Sequence, residues 1–293
     1  MKRLLFVYNP VAGQAKIQKK LFEVVDYYDS EDYIVTLCPI MKLSERWEDL
    51  SADTAFDRVV CSGGDGTLNI LMSFLMERKV QIDVGYLPAG STNDYAHSLG
   101  ISSNLSMAMA QTLFGTPHQF DIGRFNQRYF LYVAGFGIFT KVSYTTSQKT
   151  KNLLGHTAYL LEGIKQISDL RSYPVRIESE TVNLEGSFIL GLVTNSLFVG
   201  GFKDILPADS ALDDGKFEVL LLRAPKNLLE LHEMVVALTQ NSLESNSNVV
   251  FLRCSRLTIT SSEVIDWTVD GEYGGSVTQA DIQNIQKAFH VIC

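Results

Sequence analysis

Arg58-Val59-Val60-Cys61-Ser62-Gly63-Gly64-Asp65-Gly66-Thr67-Leu68-Asn69 carries an apolar β-type run into a glycine-rich turn. A helical pattern follows at once, with Leu68, Leu71, Met72, Leu75 and Met76 on one face. Glycines lack a Cβ, so the backbone amides of such a turn can approach phosphate oxygens, and the helix starting near Thr67 aims its positive end at the same place. Taken alone, the pattern is more often a tight strand-to-helix connection with an Asp or Thr cap.

Two similar turns flank it in the first 120 residues. Asn9-Pro10-Val11-Ala12-Gly13 follows the strand-like run 4–8, and Pro88-Ala89-Gly90-Ser91-Thr92-Asn93-Asp94 follows the run 83–87. Runs 33–37 and 58–61 are also strand-like, and Ile17, Leu21, Val24, Val25 and Tyr28 make a second apolar helix face. Strands alternating with helices predict a mainly parallel sheet covered on both faces. All three turns then fall at strand carboxyl ends, the edge at which open α/β sheets bind ligands, and they are expected to converge on one nucleotide.

The second half changes rhythm. Residues 129–134, 175–178, 188–194, 217–222, 249–252, 256–260 and 265–269 are strand-like, interrupted by helical stretches at 153–167 and at 228–238, the latter entered through Pro225 and Asn227. The prediction is a nucleotide-binding α/β domain over 1–119, onto which a tail at 282–293 packs back, and a β-rich sandwich over 120–281. A length of 293 residues suits two domains.

Composition narrows the classes. With 46% hydrophobic and 20% charged residues the chain is globular, and a formal charge of -8 is the wrong sign for coating nucleic acid. Cys38, Cys61, Cys254 and Cys293 lack the spacing of a zinc site or redox pair and are expected to be reduced, buried thiols of a cytosolic protein. The apolar run after Met1-Lys2-Arg3 stops at Asn9-Pro10, too short for an export signal, and no run approaches the ~18 to 20 residues of a membrane span. His97, His118, His156, His232 and His290 have no metal-ligand spacing and receive no role.

Together, Asn9-Pro-x-x-Gly13, Gly63-Gly-Asp-Gly-Thr67-x-Asn69, Pro88-x-Gly-Ser-Thr-Asn-Asp94 with Ala96 and Leu99-Gly100, and the late Asp270-Gly271-Glu272 resemble the diacylglycerol kinase catalytic-domain family, specifically its soluble bacterial lipid kinases. The resemblance spans almost the whole chain. It implies an ATP-dependent lipid kinase with an N-terminal domain similar to those of NAD kinases and phosphofructokinases, a β-sandwich second domain, and a nucleotide and lipid that meet in the cleft between them. It further implies that Asn9, Pro10, Val11, Ala12, Gly13, Gly63, Gly64, Asp65, Gly66, Thr67, Leu68, Asn69 and Ser91 line ATP, with Asp65 close to the transferred phosphate or its Mg2+ and Glu272 as proton acceptor. A structural Mg2+ is implied at Ala211-Leu-Asp-Asp214-Gly-Lys216, through the Asp214 side chain and the Ala211 and Lys216 carbonyls. The chain departs from the family where Ala12, Ile70 and Ser91 replace a frequent Ser, Glu and Thr.

The residues by themselves support the same chemistry, because phosphoryl transfer needs amide-rich loops, Mg2+ and one carboxylate within reach of the acceptor hydroxyl. Asp270-Gly271-Glu272 alone is most simply an acidic turn, and Asp209, Asp213 and Asp214 suit a hard cation or a solvated loop equally well. Lys149 and Lys151 ahead of Leu153, Leu154 and Tyr159 form either a basic, apolar membrane-facing element or, by preference, an ordinary packed helix. The expected partner is a lipid at a membrane surface, with the protein cytoplasmic and peripheral, no nucleic acid, and a homodimer left open. Two alternatives stand beside this: an NAD kinase, which shares the Gly63 to Thr67 turn, and a non-catalytic nucleotide- or lipid-binding regulator, opened by Ala12 and Ile70 but opposed by the presence of both Asp65 and Glu272.

Overall fold

The computed structural model describes residues 1–51, 56–90, 93–138, 170–196, 210–239 and 245–293. The chain divides into two units, one comprising Met1–Phe120 and Lys287–Cys293, the other Asp121–Gln286. The helical stretch expected at 153–167, with Lys149 and Lys151 before it, lies outside the described residues, as do Ser91 and Asp209. Among the described residues no helix is long and apolar enough to cross a membrane.

In the first unit, strands β1 (Lys2–Tyr8), β2 (Tyr33–Pro39), β3 (Arg58–Gly63) and β4 (Asp83–Pro88) stand in the order β4-β3-β1-β2, all paired in parallel. The chain's last residues extend this sheet, with His290, Val291 and Ile292 parallel to Asp83, Val84 and Gly85. Between the strands run α1 (Lys16–Lys19), α2 (Leu21–Ser30), α3 (Leu43–Ser51) and α4 (Asp65–Glu77), followed by α5 (Asp94–Ser98) and α6 (Leu105–Phe114). The path moves one way along the sheet from β1 to β2 and the other way from β2 through β3 to β4. Right-handed crossovers therefore place α2 on one face and α3 and α4 on the opposite one. Packing agrees, since Val24 and Tyr28 of α2 and Ala108 and Met109 of α6 share a core with Leu4, Phe6, Val60 and Leu87. On α3 and α4, Trp47 and Phe74 meet edge to face at 5.1 Å.

The second unit holds β5 (Pro117–Phe125), β6 (Arg128–Phe130), β7 (Val133–Gly137), β8 (Tyr173–Ser179), β9 (Asn183–Thr194), β10 (Phe217–Arg223), β11 (Val249–Cys254), β12 (Arg256–Val269) and β13 (Glu272–Ile292), apart from the ends of β5 and β13 that belong to the first unit. Every pairing described within it is antiparallel, so among the described residues antiparallel ladders outnumber parallel ones. Phe125 and Phe136 flank Trp267 at 4.9 and 5.0 Å in its aromatic core. Against β9 and β10 lies α7 (Leu228–Thr239), which buries Leu231, Met234 and Val235 on Leu190, Leu220 and Leu222. Asn227 caps α7 by accepting from the Glu230 amide at 2.9 Å, and the Glu230 carboxylate reaches back to the Lys226 amide at 2.8 Å.

Three sequence expectations need correction. The run 129–134 is two strands, because the amides of Leu131, Tyr132 and Val133 turn away from the ladder to donate to Asp270. The runs 256–260 and 265–269 are one strand with a register shift between Thr260 and Ile265. Of the four cysteines, all free, Cys293 is only partly buried. Burial raises all four thiols above their ordinary range, Cys254 to about 12, with Glu180 and Glu218 adding to its rise, so they behave as inert apolar groups.

Candidate functional site

The three glycine-containing turns meet at the carboxyl edge of the first sheet, around the point between β1 and β3 where the strand order reverses. Their contacts are backbone on backbone. Gly13 sits in the left-handed region at φ +53, and a Cβ there would stand 2.2 Å from the Ala89 carbonyl oxygen. A Cβ on Gly90 would stand 2.6 Å from Gly64 Cα, and one on Gly64 would stand 3.2 Å from Gly90 Cα. Glycine at 90 is therefore required first by the fit of one turn against another, and at 64 the same fit is tight.

Hydrogen bonds lock the same arrangement. Asn9 donates its amide to the Ser62 carbonyl at 2.9 Å and its Nδ2 to Thr67 Oγ1 at 3.1 Å, while its Oδ1 accepts from Val11 at 3.1 Å. The Ala89 amide donates to Gly63 O at 2.7 Å. Asn93, left-handed at φ 52, closes the third turn by accepting from the Gly90 amide at 2.8 Å and donating to the Gly90 carbonyl at 3.2 Å.

Within the central turn the positions have different parts. Leu68 is fully buried, so its side chain belongs to the core and lines no ligand, and Thr67, also buried, uses its hydroxyl to accept from Asn9. The amides of Thr67 and Leu68 already donate to the Gly64 carbonyl. Gly66 is different: it is exposed, with no atom within 4 Å of a built Cβ, and it faces outward from the first turn of α4. Asn69 accepts from Ser73 at 2.8 Å, and Val11 is 73% exposed.

Asp65 is 8% exposed, and its carboxylate is shared between elements. Oδ2 accepts from the Asp94 amide at 2.9 Å, and Oδ1 lies 3.4 Å from the Tyr86 hydroxyl. Sequence patterns singled out neither Tyr86 nor the Asp94 amide for this role. The signal for Tyr86 was one hydroxyl inside an otherwise apolar strand, where a buried phenol must find a partner.

Glu272 lies in the second unit, exposed, as the first residue of β13. It follows the two-residue turn Asp270-Gly271, whose φ values of 48 and 81 are those of the Asp-Gly hairpin, and it pairs with Val269. Asp270 is buried. Its carboxylate accepts from the amides of Leu131 at 2.7 Å, Tyr132 at 3.0 Å and Val133 at 3.0 Å, while its own amide donates to the Val133 carbonyl at 2.8 Å. Of the Asp-Gly-Glu triplet, the first member is thus a structural pin and the third is displayed to solvent.

The loop of Ala211, Asp214 and Lys216 is tied down by protein groups. Asp121, fully buried, accepts from the Gly215 amide at 2.7 Å and donates its amide to the Leu212 carbonyl at 2.8 Å; Asn284 donates to the Lys216 carbonyl at 3.1 Å. Asp214 Oδ1 accepts from the Lys216 amide at 2.9 Å, and Oδ2 is taken by the Arg253 guanidinium. Beside them burial pushes the Glu218 carboxyl up to about 7, against the pull of the Ser210 hydroxyl and Arg253. Its buried Oε1 has no hydrogen-bond partner among the described residues and lies 3.5 Å from Arg253 Nε. The donors are all oxygen, as a hard cation requires, and the orphaned Glu218 oxygen favours added positive charge. A cation there would share Asp214 with Arg253.

Comparison with known proteins places this geometry. The family model for the diacylglycerol kinase catalytic domain matches residues 3–125, and that for the YegS C-terminal NAD kinase beta sandwich-like domain matches residues 133–293. A protein of Bacillus subtilis (strain 168) named diacylglycerol kinase is 31% identical over 297 residues, covering 100% of this chain and 96% of its own length. One of that name from Staphylococcus aureus (strain MRSA252) is 29% identical over 297 residues, covering 99% and 92%. A solved Bacillus anthracis str. Sterne structure described as a diacylglycerol kinase shares the fold at TM-score 0.72 and 18% identity, covering 99% and 96% of the two chains. A second structure from that organism reaches TM-score 0.81 at 21% identity, over 99% and 95%. With its three turns interlocked at the carboxyl edge of the first sheet and family matches running through both units, this chain belongs to the diacylglycerol kinase family of lipid kinases.

Proposed function

We propose that the chain transfers the γ-phosphoryl group of MgATP to the free hydroxyl of diacylglycerol or a closely similar lipid presented at a membrane surface. The observation that carries this is the mutual packing of the three turns, which leaves no room for a Cβ at Gly13 or Gly90 and turns Gly66 outward. Asn9 to Gly13, Gly63 to Asn69 (through backbone and polar groups, not the Leu68 side chain) and Ser91 hold the nucleotide. Mg2+ bound with ATP supplies neutralisation of the β- and γ-phosphate charge. Asp65 is the carboxylate that faces it. In the transfer the lipid hydroxyl oxygen forms a bond to the γ-phosphorus, the bond to the β–γ bridging oxygen breaks, ADP leaves, and Glu272 accepts the hydroxyl proton.

The direct test is purified protein with γ-labelled ATP, offered diacylglycerol in phospholipid vesicles and, separately, NAD+. Labelled phosphatidic acid with unmodified NAD+ is the expected outcome. Labelled NADP+ alone would establish the NAD kinase alternative, and nucleotide binding without either product would establish a silent regulator.

Two glycines test the phosphate site in opposite directions. Gly66→Ala places a methyl in open space at a helical position, where Ala is favoured over Gly by up to about 1 kcal/mol. It should raise the unfolding temperature yet weaken ATP binding, because the methyl stands where phosphate oxygens approach. Equal ATP affinity in this variant would move the phosphates away from the turn. Gly13→Ala should lower both stability and affinity, since its left-handed φ and the Ala89 carbonyl both reject a Cβ.

We also propose Mg2+ at the Asp214 loop, held by the Asp214 side chain and the Ala211 and Lys216 carbonyls. Chelator should then lower the melting temperature of the wild type but leave Asp214→Ala unchanged. Identical wild-type melting with and without chelator would leave Asp214 paired with Arg253 and no Mg2+ in the loop.

A further inference from the structure

Tyr86 stands in the middle of β4, between Gly85 and Leu87, 1% exposed in a strand with no other side-chain hydroxyl. Phenylalanine would fill the same space. The added oxygen lies 3.2 Å from the Gly63 carbonyl and 3.4 Å from Asp65 Oδ1, so one phenol proton is shared between the backbone of the central turn and its carboxylate. Both distances are long for an O–H···O bond, as suits one proton shared between two acceptors. The other carboxylate oxygen is held at 2.9 Å by the Asp94 amide, from the turn that β4 itself enters. One strand therefore grips Asp65 twice, once through a side chain inside it and once through the loop beyond its end.

From this geometry we infer that Tyr86 is a positioning residue for phosphoryl transfer: its hydroxyl fixes the rotation of the Asp65 carboxylate. The inference rests on the role proposed above for Asp65. Tyr86 is buried, so it acts through Asp65 rather than on a ligand directly. Its effect is on the orientation of a charge, and that should appear in turnover rather than in substrate affinity.

The test compares Tyr86→Phe with Tyr28→Phe and Asp65→Asn in the full chain. Tyr28 is an internal control, since it is equally buried in the same unit and its hydroxyl bonds Thr112 Oγ1 at 2.8 Å, away from the turns. Both phenylalanine variants lose one buried hydrogen bond and should show similar small falls in melting temperature, ~2–4 °C. Tyr28→Phe should keep the wild-type kcat. Tyr86→Phe should lose about tenfold or more in kcat with KM for ATP within about twofold, because a hydrogen bond to a charged group is worth roughly that factor or more. Asp65→Asn should be nearly inactive. If Asp65→Asn is dead while Tyr86→Phe matches Tyr28→Phe in kcat, the positioning role falls and the site assignment stands. If Asp65→Asn keeps turnover, the assignment of Asp65 itself falls.

Discussion

Glu272→Gln should lower lipid phosphorylation by about 100- to 10,000-fold while changing ATP affinity by less than about twofold, the loss typical of removing a general base. The two side chains have the same size and shape, but the amide cannot accept the hydroxyl proton. Structure makes this substitution unusually clean. Glu272 is exposed, its backbone is fixed by pairing with Val269, and the turn before it is pinned by Asp270 rather than by Glu272 itself. Fold and nucleotide turns should therefore be untouched. Circular dichroism and equilibrium ATP binding establish that, and single-turnover phosphorylation of diacylglycerol vesicles reads the chemistry. Turnover within about threefold of wild type, well short of that range, would transfer the proton-accepting role to Asp65.

Asp270→Ala is the second large effect, and it is one of stability. Three amides, on Leu131, Tyr132 and Val133, converge on the buried Asp270 carboxylate at 2.7 to 3.0 Å. Each donor stranded without a partner costs about 1–3 kcal/mol, so the variant should lose about 3 kcal/mol or more, a large share of the stability of an ordinary domain. Urea unfolding with the slope held common gives the number. Asp270→Asn keeps one acceptor oxygen but points an NH2 at a donor, and should fall between alanine and wild type. Because the same turn carries Glu272, the folded fraction of Asp270→Ala should also turn over slowly. A loss under about 1 kcal/mol would mean that the three amides find other partners.

These two neighbours show where sequence reasoning reached and where it stopped. The triplet reads as an acidic turn after a strand-like run and carries a family resemblance, so the turn and its Glu were legible, though not the hairpin it makes. The division of labour was not. The partners of Asp270 lie 137 to 139 residues earlier, and no local pattern announces them. Tyr86 is similar: a lone hydroxyl in an apolar strand announced that some partner exists, but its identity follows from β4 lying beside β3 in the register that pairs Cys61 with Tyr86. Strand β13 was missed for a related reason. Over 272–292 it is rich in Gln, Asn, Asp and Gly, poor material for a strand, and it is held extended by its partner strand β12 and then by β4.

What the sequence determined by itself is the local chemistry: apolar runs of strand and helix period, three glycine turns at strand ends, an Asn cap on α7, an acidic turn at Asp270-Gly271, and the motif order that places the chain in its family. These depend on residues within a few positions of one another, where backbone sterics and side-chain periodicity act directly. Tertiary structure alone decided that Gly13 abuts Ala89, that Gly64 abuts Gly90, that Asp65 is held by Tyr86 and Asp94, and that Asp214 is engaged by Arg253. Each of those contacts exists because strands distant in sequence became neighbours, and a hydrogen-bonding or steric partner is set by proximity in space, which periodicity along the chain does not encode.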